Sequence, residues 1–203
     1  MNWTTILTDE ARENCILRTD DLARKRNLPV SVVRNALRRY ELRELVERVS
    51  TKIYVNHLNQ QFSPRDLVNI LRPESYISLE SALVEKGVIT QSPSALTCVT
   101  SRYPQTFRSK SVNIVYRKIS AELFWGAEVK ATRFNKYRIA DPEKALLDWI
   151  YLSRQEGLPT PLDELQLQPL QTAKLLDYAE RFPRTVREIV KELLITRSVS
   201  HPV

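Results

Sequence analysis

Residues 19–56 constrain the fold more than any other part of the chain, because two helix patterns and a hairpin pattern follow one another at short spacing. The apolar pair Leu22 and Ala23 marks one side of a short first helix, and the Thr19 hydroxyl is expected to cap it. The turn Asn27-Leu28-Pro29 then ends that helix. This order predicts a helix-turn-helix.

The second helix of the pair carries apolar residues at the i, i+3, i+4, i+7 spacing of one buried stripe, namely Val33, Ala36, Leu37 and Tyr40. Its open face is predicted to hold Ser31, Arg34, Asn35, Arg38 and Arg39. Arginine can bond guanine through two hydrogen bonds, and asparagine can bond adenine in the same way, in a major groove that admits one helix. We therefore predict that this helix reads DNA.

A two-stranded wing is predicted after the second helix, over residues 45–49 and 52–56, with Ser50-Thr51 as the turn. Arg48 and Lys52 lie near its tip, where they are expected to contact backbone phosphate. Upstream, residues 3–11 have the pattern of a further helix, and Ile16-Leu17 is expected to add a third strand. The sequence thus predicts an N-terminal winged helix-turn-helix domain over residues 1–58.

The charge balance agrees with an anionic partner. The chain of 203 residues holds 31 Lys and Arg against 24 Asp and Glu, which gives a net charge of +7 and a pI near 9.5. Solvated basic helix faces are common, so charge alone would equally fit a small helical domain without a DNA-binding role. The order helix, proline-containing turn, basic helix and hairpin favours the DNA-binding interpretation.

A second α+β domain is predicted over residues 63–203, after a polar linker at 57–62. One helix is expected from Ser63-Pro64 to Arg72-Pro73, and another over 79–86 with Ser78 as its cap and Gly87 as its terminator. Strands are expected at 96–100, 106–108, 112–116, 127–134 and 137–139, forming a small, mainly antiparallel sheet. Helices are expected after Asp141-Pro142-Glu143, at 170–181 and at 184–196.

The predicted strands and their loops carry a second set of basic residues: Arg108, Lys110, Arg117, Lys118, Lys130 and Arg133. On strands, such charges can line one face and extend a phosphate-binding surface. Aromatic neighbours such as Tyr103 and Trp125 suggest an alternative, stacking of unpaired bases. The third interpretation is that these aromatic residues only fill the core.

Enzymatic chemistry is not expected. Glu128-Val129-Lys130 matches half of a nuclease metal site, but no aspartate occurs between Asp66 and Asp141 to complete it. Two histidines and three dispersed glycines supply neither a triad nor a phosphate loop. Cys15 and Cys98 are expected to be reduced core thiols. We expect no metal and no cofactor, no membrane segment, and a cytoplasmic location.

Two motifs, YISLESALVEKG at residues 76–87 and YRIADPEKALLD at residues 137–148, resemble the AbiEi family. That family comprises bacterial antitoxins of type IV toxin-antitoxin systems, which mediate abortive infection. The resemblance covers residues 4–155 in order: winged helix, first motif, β-region and second motif. The chain departs from the family at Lys86, where histidine is expected, and no family motif matches the C-terminal tail after residue 160.

The resemblance implies a two-part protein. Its winged helix would bind double-stranded DNA at inverted repeats in the promoter of its own operon and repress it. Its second domain would counter a nucleotidyltransferase-like toxin without forming a stable complex with it. The alternative is an RNA- or protein-binding regulator in which the winged helix is an interaction module.

Overall fold

A computed structural model describes residues 2–160 and 162–200 of the chain, which forms a mixed α+β structure. The first part contains α1 (Trp3–Glu13), β1 (Ile16–Arg18), α2 (Thr19–Arg26), α3 (Val30–Glu41), β2 (Val46–Arg48) and β3 (Ile53–Asn56). The three strands form an antiparallel sheet in the order β1-β3-β2. Ile16-Leu17 therefore does add a third strand to the hairpin.

The three helices of this first part enclose their own hydrophobic core. The four stripe residues predicted for α3 are all buried in it, together with apolar residues of α1, α2 and the sheet: Trp3, Ile6, Leu7, Leu17, Leu22, Ala23, Val46 and Tyr54. Burying side chains of this kind stabilises a fold by about 1.5–3 kcal/mol each. The buried stripe fixes which face of α3 points outward.

The predicted capping role of Thr19 is wrong. Helix α2 begins one residue earlier than expected, with Arg18 at the cap position and no side-chain cap hydrogen bond. Thr19 is buried, and its hydroxyl donates to the adjacent Asp20 carboxylate at 3.4 Å. Asn27 ends the helix in the left-handed conformation, with φ 51°, which asparagine tolerates better than most residues.

The second part begins with a 3-10 turn at Pro64–Leu67. It continues through α4 (Val68–Leu71), β4 (Ser75–Ile77), α5 (Leu79–Glu85), β5 (Leu96–Thr100), β6 (Gln105–Arg108), β7 (Asn113–Lys118), β8 (Ala127–Ala131), β9 (Lys136–Ala140), α6 (Pro142–Glu156), α7 (Thr172–Ala179) and α8 (Arg184–Ser200). Asp141 caps α6 through its side chain, as predicted. No helix among the described residues is long and apolar enough to cross a membrane.

The second sheet has six strands in the order β6-β7-β5-β4-β9-β8. Its outer pairings and β4-β5 are antiparallel, as expected, but β4-β9 and β5-β7 are parallel. The sheet is therefore larger and more mixed than the sequence predicts. The sixth strand, β4, was not predicted because it is fully buried and only three residues long, so it shows no alternating pattern. The parallel β5-β7 pair arises because β6 lies outside β7 at the sheet edge and not between β5 and β7.

Ser78 does not cap α5, contrary to the prediction. The α5 cap position has no side-chain hydrogen bond, and the Ser78 hydroxyl instead donates to the Asp148 carboxylate of α6 at 2.8 Å. Gly87 does follow the end of α5 with a positive φ of 73°, as predicted. Ser78 thus connects the sheet to α6.

The first and second parts of the chain pack together at a joint, an interface that combines apolar and polar contacts. Cys15, Ile16 and Val55 of the first part are buried in the larger core of the second. Burial raises the pKa of the Cys15 thiol to about 12, which agrees with a reduced core thiol. Cys98 is also a buried free thiol, and burial raises its pKa.

Glu47 of β2 lies in this joint and accepts hydrogen bonds from the backbone N–H and hydroxyl of Ser111, at 2.8 and 2.6 Å. It also lies 2.9 Å from the His57 ring. Burial alone would raise the pKa of Glu47, but hydrogen bonds from neighbouring serines and from His57 outweigh burial and lower it. Ionised Glu47 therefore stabilises the joint.

Replacing Glu47 with glutamine is expected to lower the free energy of unfolding at pH 7 by about 1–2 kcal/mol. A depressed folded pKa gives stability that is present above the unfolded value, about 4.3, and is lost as pH falls through the folded value. The difference between wild type and variant should therefore shrink below about pH 4. Urea unfolding at pH 7 and below about pH 4 measures this difference in the free energy of unfolding, with the exposed Glu122→Gln as the control. A difference independent of pH would contradict the stabilising role of ionised Glu47.

Candidate nucleic-acid interface

Helix α3 presents its polar face to solvent. All five residues predicted for that face, Ser31, Arg34, Asn35, Arg38 and Arg39, are exposed, while the stripe opposite is buried. The packing of α3 against α2 and the sheet leaves this face uncovered among the described residues. A helix with this orientation and these side chains has the shape and donors needed to enter a DNA major groove.

The arginines of this face form no ion pair with a carboxylate among the described residues. Five other basic side chains of the first part pair with carboxylates, whereas Arg18, Arg43 and Arg48 have no ion pair among the described residues: the paired ones are Arg12, Arg24, Lys25, Arg26 and Lys52. Arg34, Arg38 and Arg39 have no such partner among residues 2–160 and 162–200. Uncompensated, exposed arginines attract an anionic polymer without first having to break an internal ion pair.

The β2-β3 hairpin contributes basic residues beside α3. Arg48 is exposed, and its Nε donates to the Ser50 carbonyl at 3.2 Å, which holds the guanidinium at the hairpin turn. The pKa of Tyr54 is raised by burial, and the positive charges of Arg48, Arg34 and Arg38 oppose that rise. These three arginines, from the hairpin and from α3, therefore lie near enough to act on one side chain, as does Glu41, whose charge adds to the rise.

Lys52, predicted as a phosphate contact, is tied to an acid. Its Nζ lies 2.7 Å from Oδ2 of Asp20, at the start of α2. The hydrogen bond from Lys52 is the main cause that lowers the pKa of Asp20, and the charge of Arg34 adds to it. Asp20 thus places a negative charge near both Arg34 of α3 and Lys52 of the hairpin turn.

Arg43 was not predicted, although it extends the same basic surface. It lies just beyond α3, four residues after Arg39, and its guanidinium stands over the Tyr40 ring at 5.5 Å. Arg39 and Arg43 line an open cleft with Asn2, Trp3 and Tyr40. Because Arg43 lies past the C-terminal end of α3, the helical spacing that predicts the outward residues of α3 gives no signal for it.

The structure does not bring the predicted second basic set together on one surface. Arg108, Lys110, Arg117 and Lys118 belong to the β6-β7 side, whereas Lys130 and Arg133 belong to the β8-β9 side. Three strands separate β7 from β8, a distance of about 19 Å at the usual strand spacing.

Half of this second set is also paired. Three of its six cations lie close to a carboxylate. Lys110 lies 2.9 Å from Glu44, Arg117 lies 2.7 Å from Glu156, and Lys130 lies 3.0 Å from Glu85. Arg133 bonds Gln61, and Arg108 and Lys118 are exposed without a carboxylate partner among the described residues. The neighbouring aromatic residues are mainly buried or half-buried, except Tyr103, which is exposed.

Residues of the two sequence motifs converge in a buried polar cluster of Tyr76, Ser78, Lys144 and Asp148. The Asp148 carboxylate accepts hydrogen bonds from the Tyr76 hydroxyl at 3.0 Å and from Ser78, and it pairs closely with the Lys144 ammonium. Lys144 Nζ also donates to the Tyr76 hydroxyl at 2.9 Å. The Lys144 and Asp148 side chains are both 0% exposed.

Aromatic rings from three parts of the chain surround the Lys144 ammonium. The ring centres of Tyr76, Trp125 and Phe182 lie 5.4, 5.1 and 5.2 Å from Nζ. Burial lowers the pKa of Lys144 and raises that of Asp148, while their mutual attraction opposes both changes. The cluster links α6 to the sheet and to the C-terminal tail. Because it is closed to solvent, it presents no surface for a substrate.

Both charged residues of the half-motif Glu128-Val129-Lys130, on β8, take part in ion pairs. Glu128 lies 2.8 Å from Lys86, and Lys130 bonds Glu85. Among the described residues, no group of three or more His, Cys, Asp or Glu is placed to hold a metal ion.

The chain is thus a mixed α+β protein whose best-defined surface is an arginine-bearing helix beside a hairpin. Its fold is similar to the crystal structure of the RV2827C protein from Mycobacterium tuberculosis, with a TM-score of 0.58 and 14% identity, over 93% of this chain and 74% of that one. At this identity the similarity shows the fold alone. No protein-family model matches the sequence, and no curated protein matches it significantly.

Proposed function

We propose that the chain is a DNA-binding transcriptional repressor of its own operon, with an N-terminal winged helix-turn-helix over residues 1–58. The observation that carries the proposal is the exposed, unpaired arginine face of α3 beside Arg48 of the hairpin. In this proposal α3 lies in the major groove, where Arg34, Asn35 and Arg38 meet base edges. Arg39, Arg48 and Lys52 meet phosphates, and the target is duplex DNA with inverted repeats.

We further propose that the protein is an antitoxin of the AbiEi type that acts in the cytoplasm against a nucleotidyltransferase-like toxin. The support is that Tyr76, Ser78, Lys144 and Asp148, which belong to the two family-like motifs, form one structural unit. The two motifs therefore share one structural role in this chain, linking α6 to the sheet. The repressor proposal does not depend on this one.

Co-expression tests the antitoxin proposal. Growth arrest by a nucleotidyltransferase-like protein encoded beside this gene should be relieved by the full chain. Relief should persist in the Arg34→Ala, Arg38→Ala variant, which keeps the second part intact. Arrest that continues in the presence of soluble wild-type protein would contradict the antitoxin proposal and leave the repressor proposal standing.

Binding to duplex DNA must also exceed binding to structured RNA of equal length. The wild-type protein should bind the DNA upstream of its gene more tightly at each salt concentration, because the proposed readers on α3 match major-groove edges that A-form RNA does not present. Equal or tighter binding to RNA would favour the alternative, in which the winged helix is an interaction module for RNA.

Asp20→Asn is expected to increase DNA affinity about threefold to tenfold. The change removes a negative charge beside α3 and frees Lys52, which then has a phosphate as its only nearby anion. The slope of log K against log salt should steepen by about one unit. Fluorescence anisotropy over a salt series measures both, with Asp9→Asn on α1 as a control that also removes one exposed, ion-paired aspartate. Unchanged or weaker binding would show that Lys52 lies away from DNA.

A further inference from the structure

Strand β8 is an open edge of the six-stranded sheet. It pairs with β9 on one side only, and it is the last strand in the sheet order. Val129, at its centre, is 64% exposed, and Glu128 and Ala131 are exposed as well. An uncovered edge of this kind offers unpaired N–H and C=O groups to a further strand.

The alternation of the β8-β9 ladder identifies those free groups. Just beyond the ends of the ladder, Thr132 N–H donates to the Asn135 carbonyl and Asp141 N–H to the Gly126 carbonyl. Residues opposite each other in an antiparallel pair alternate between bonded and non-bonded positions. Glu128 and Lys130 therefore direct their backbone groups toward β9, and those of Ala127, Val129 and Ala131 point outward, with no other partner among the described residues.

The sequence of β8 is Ala-Glu-Val-Lys-Ala. When this strand is read backwards, a lysine stands where the forward sequence has a glutamate, so two copies running antiparallel can match opposite charges. In an antiparallel pair of two β8 strands centred on Val129, each Val129 faces the other, and Ala127 faces Ala131. Both pairs use the outward backbone groups. Each Glu128 then faces Lys130 of the other strand at a non-bonded position, where side chains are closest.

We propose that the protein forms a two-fold symmetric homodimer in which the β8 strands of two copies pair antiparallel and join the two sheets into one. The other open edge, β6, lacks this property, because self-pairing of Gln105–Arg108 sets Arg108 against Gln105 without an acid. The dimer itself does not depend on DNA binding.

Charge exchange tests the pairing and its register. Sedimentation velocity over a concentration series should show a monomer-dimer equilibrium for wild type. Glu128→Lys and Lys130→Glu, each alone, should raise the dissociation constant at least about tenfold, because like charges then face each other twice. An equimolar mixture of the two variants should form a heterodimer, since every lysine then meets a glutamate. The double variant should recover the homodimer.

Val129→Pro supplies a second test that spares the β8-β9 ladder. It removes an outward N–H, a position where an edge strand accepts proline, and should abolish the dimer while the unfolding midpoint changes little. A wild type that stays monomeric over the whole series would overturn the proposal. A dimer that tolerates both single charge variants, or folded variants whose mixture stays monomeric, would overturn it as well.

Discussion

Replacing Arg34 and Arg38 together with alanine is expected to weaken binding to the operator by about 10³-fold or more, so that affinity falls to that for unrelated DNA. Each arginine that bonds a guanine edge through two hydrogen bonds contributes about 1–3 kcal/mol of discrimination. Both residues are exposed and have no carboxylate partner among the described residues, so the fold loses no contact. Mobility shifts on specific and scrambled duplexes measure the change, and circular dichroism checks the fold.

The matched control for this variant removes the same charge elsewhere. Arg154 and Arg184 are exposed arginines on α6 and α8, outside the proposed interface. Replacing both with alanine should reduce affinity only slightly and leave the preference for the operator intact. If the control lost as much specificity as the α3 variant, net charge and not the α3 face would explain binding.

Asp148→Asn is expected to reduce the free energy of unfolding by about 3–5 kcal/mol. The change removes the carboxylate paired with the buried Lys144 ammonium and leaves it in contact with the Tyr76 hydroxyl and aromatic rings. Asparagine has one acceptor oxygen in place of two, so it cannot accept from Lys144 on one side and from Tyr76 and Ser78 on the other, which adds to the cost. Guanidinium unfolding of the purified variant measures the loss, which is large beside the stability of a typical domain.

Two further variants identify the cause of that loss. Asp177→Asn, at an exposed position of α7, should change stability by less than about 0.5 kcal/mol. The double variant Lys144→Met, Asp148→Leu should be more stable than Asp148→Asn, because it leaves no unpaired buried charge. If the double variant were less stable than the single one, hydrogen bonding to Tyr76 and Ser78, and not the ion pair, would hold the cluster together.

The elements that the sequence predicts well are those with a strong local pattern. The α3 stripe and the Asp141-Pro142 start of α6 depend on residues close in sequence, and both are confirmed. The predicted helix caps at Thr19 and Ser78 were wrong because tertiary structure determines the environment of both residues. Thr19 is buried, and the Ser78 hydroxyl donates a hydrogen bond to Asp148. Strand β4 was not predicted because its three residues are all buried and so show no alternation of apolar and polar side chains.

The candidate site shows the same limit. The exposure of α3 follows from its own spacing, so its outward residues were predictable from sequence alone. The pairing of Lys52 with Asp20 joins residues 32 positions apart, and no local pattern signals it. The second basic set failed to form one surface because strand order places β7 and β8 at opposite sides of the sheet. Strand order depends on long-range pairing, which charge counts do not specify.

The central claim is that the α3 face recognises a specific duplex. The most direct measurement compares the affinity of the wild-type protein for the DNA upstream of its own gene with its affinity for a scrambled duplex of the same composition, at physiological salt. We expect the upstream DNA to bind at least about 10³-fold more tightly, in the range of specific regulators. Equal affinity for the two duplexes would contradict the claim.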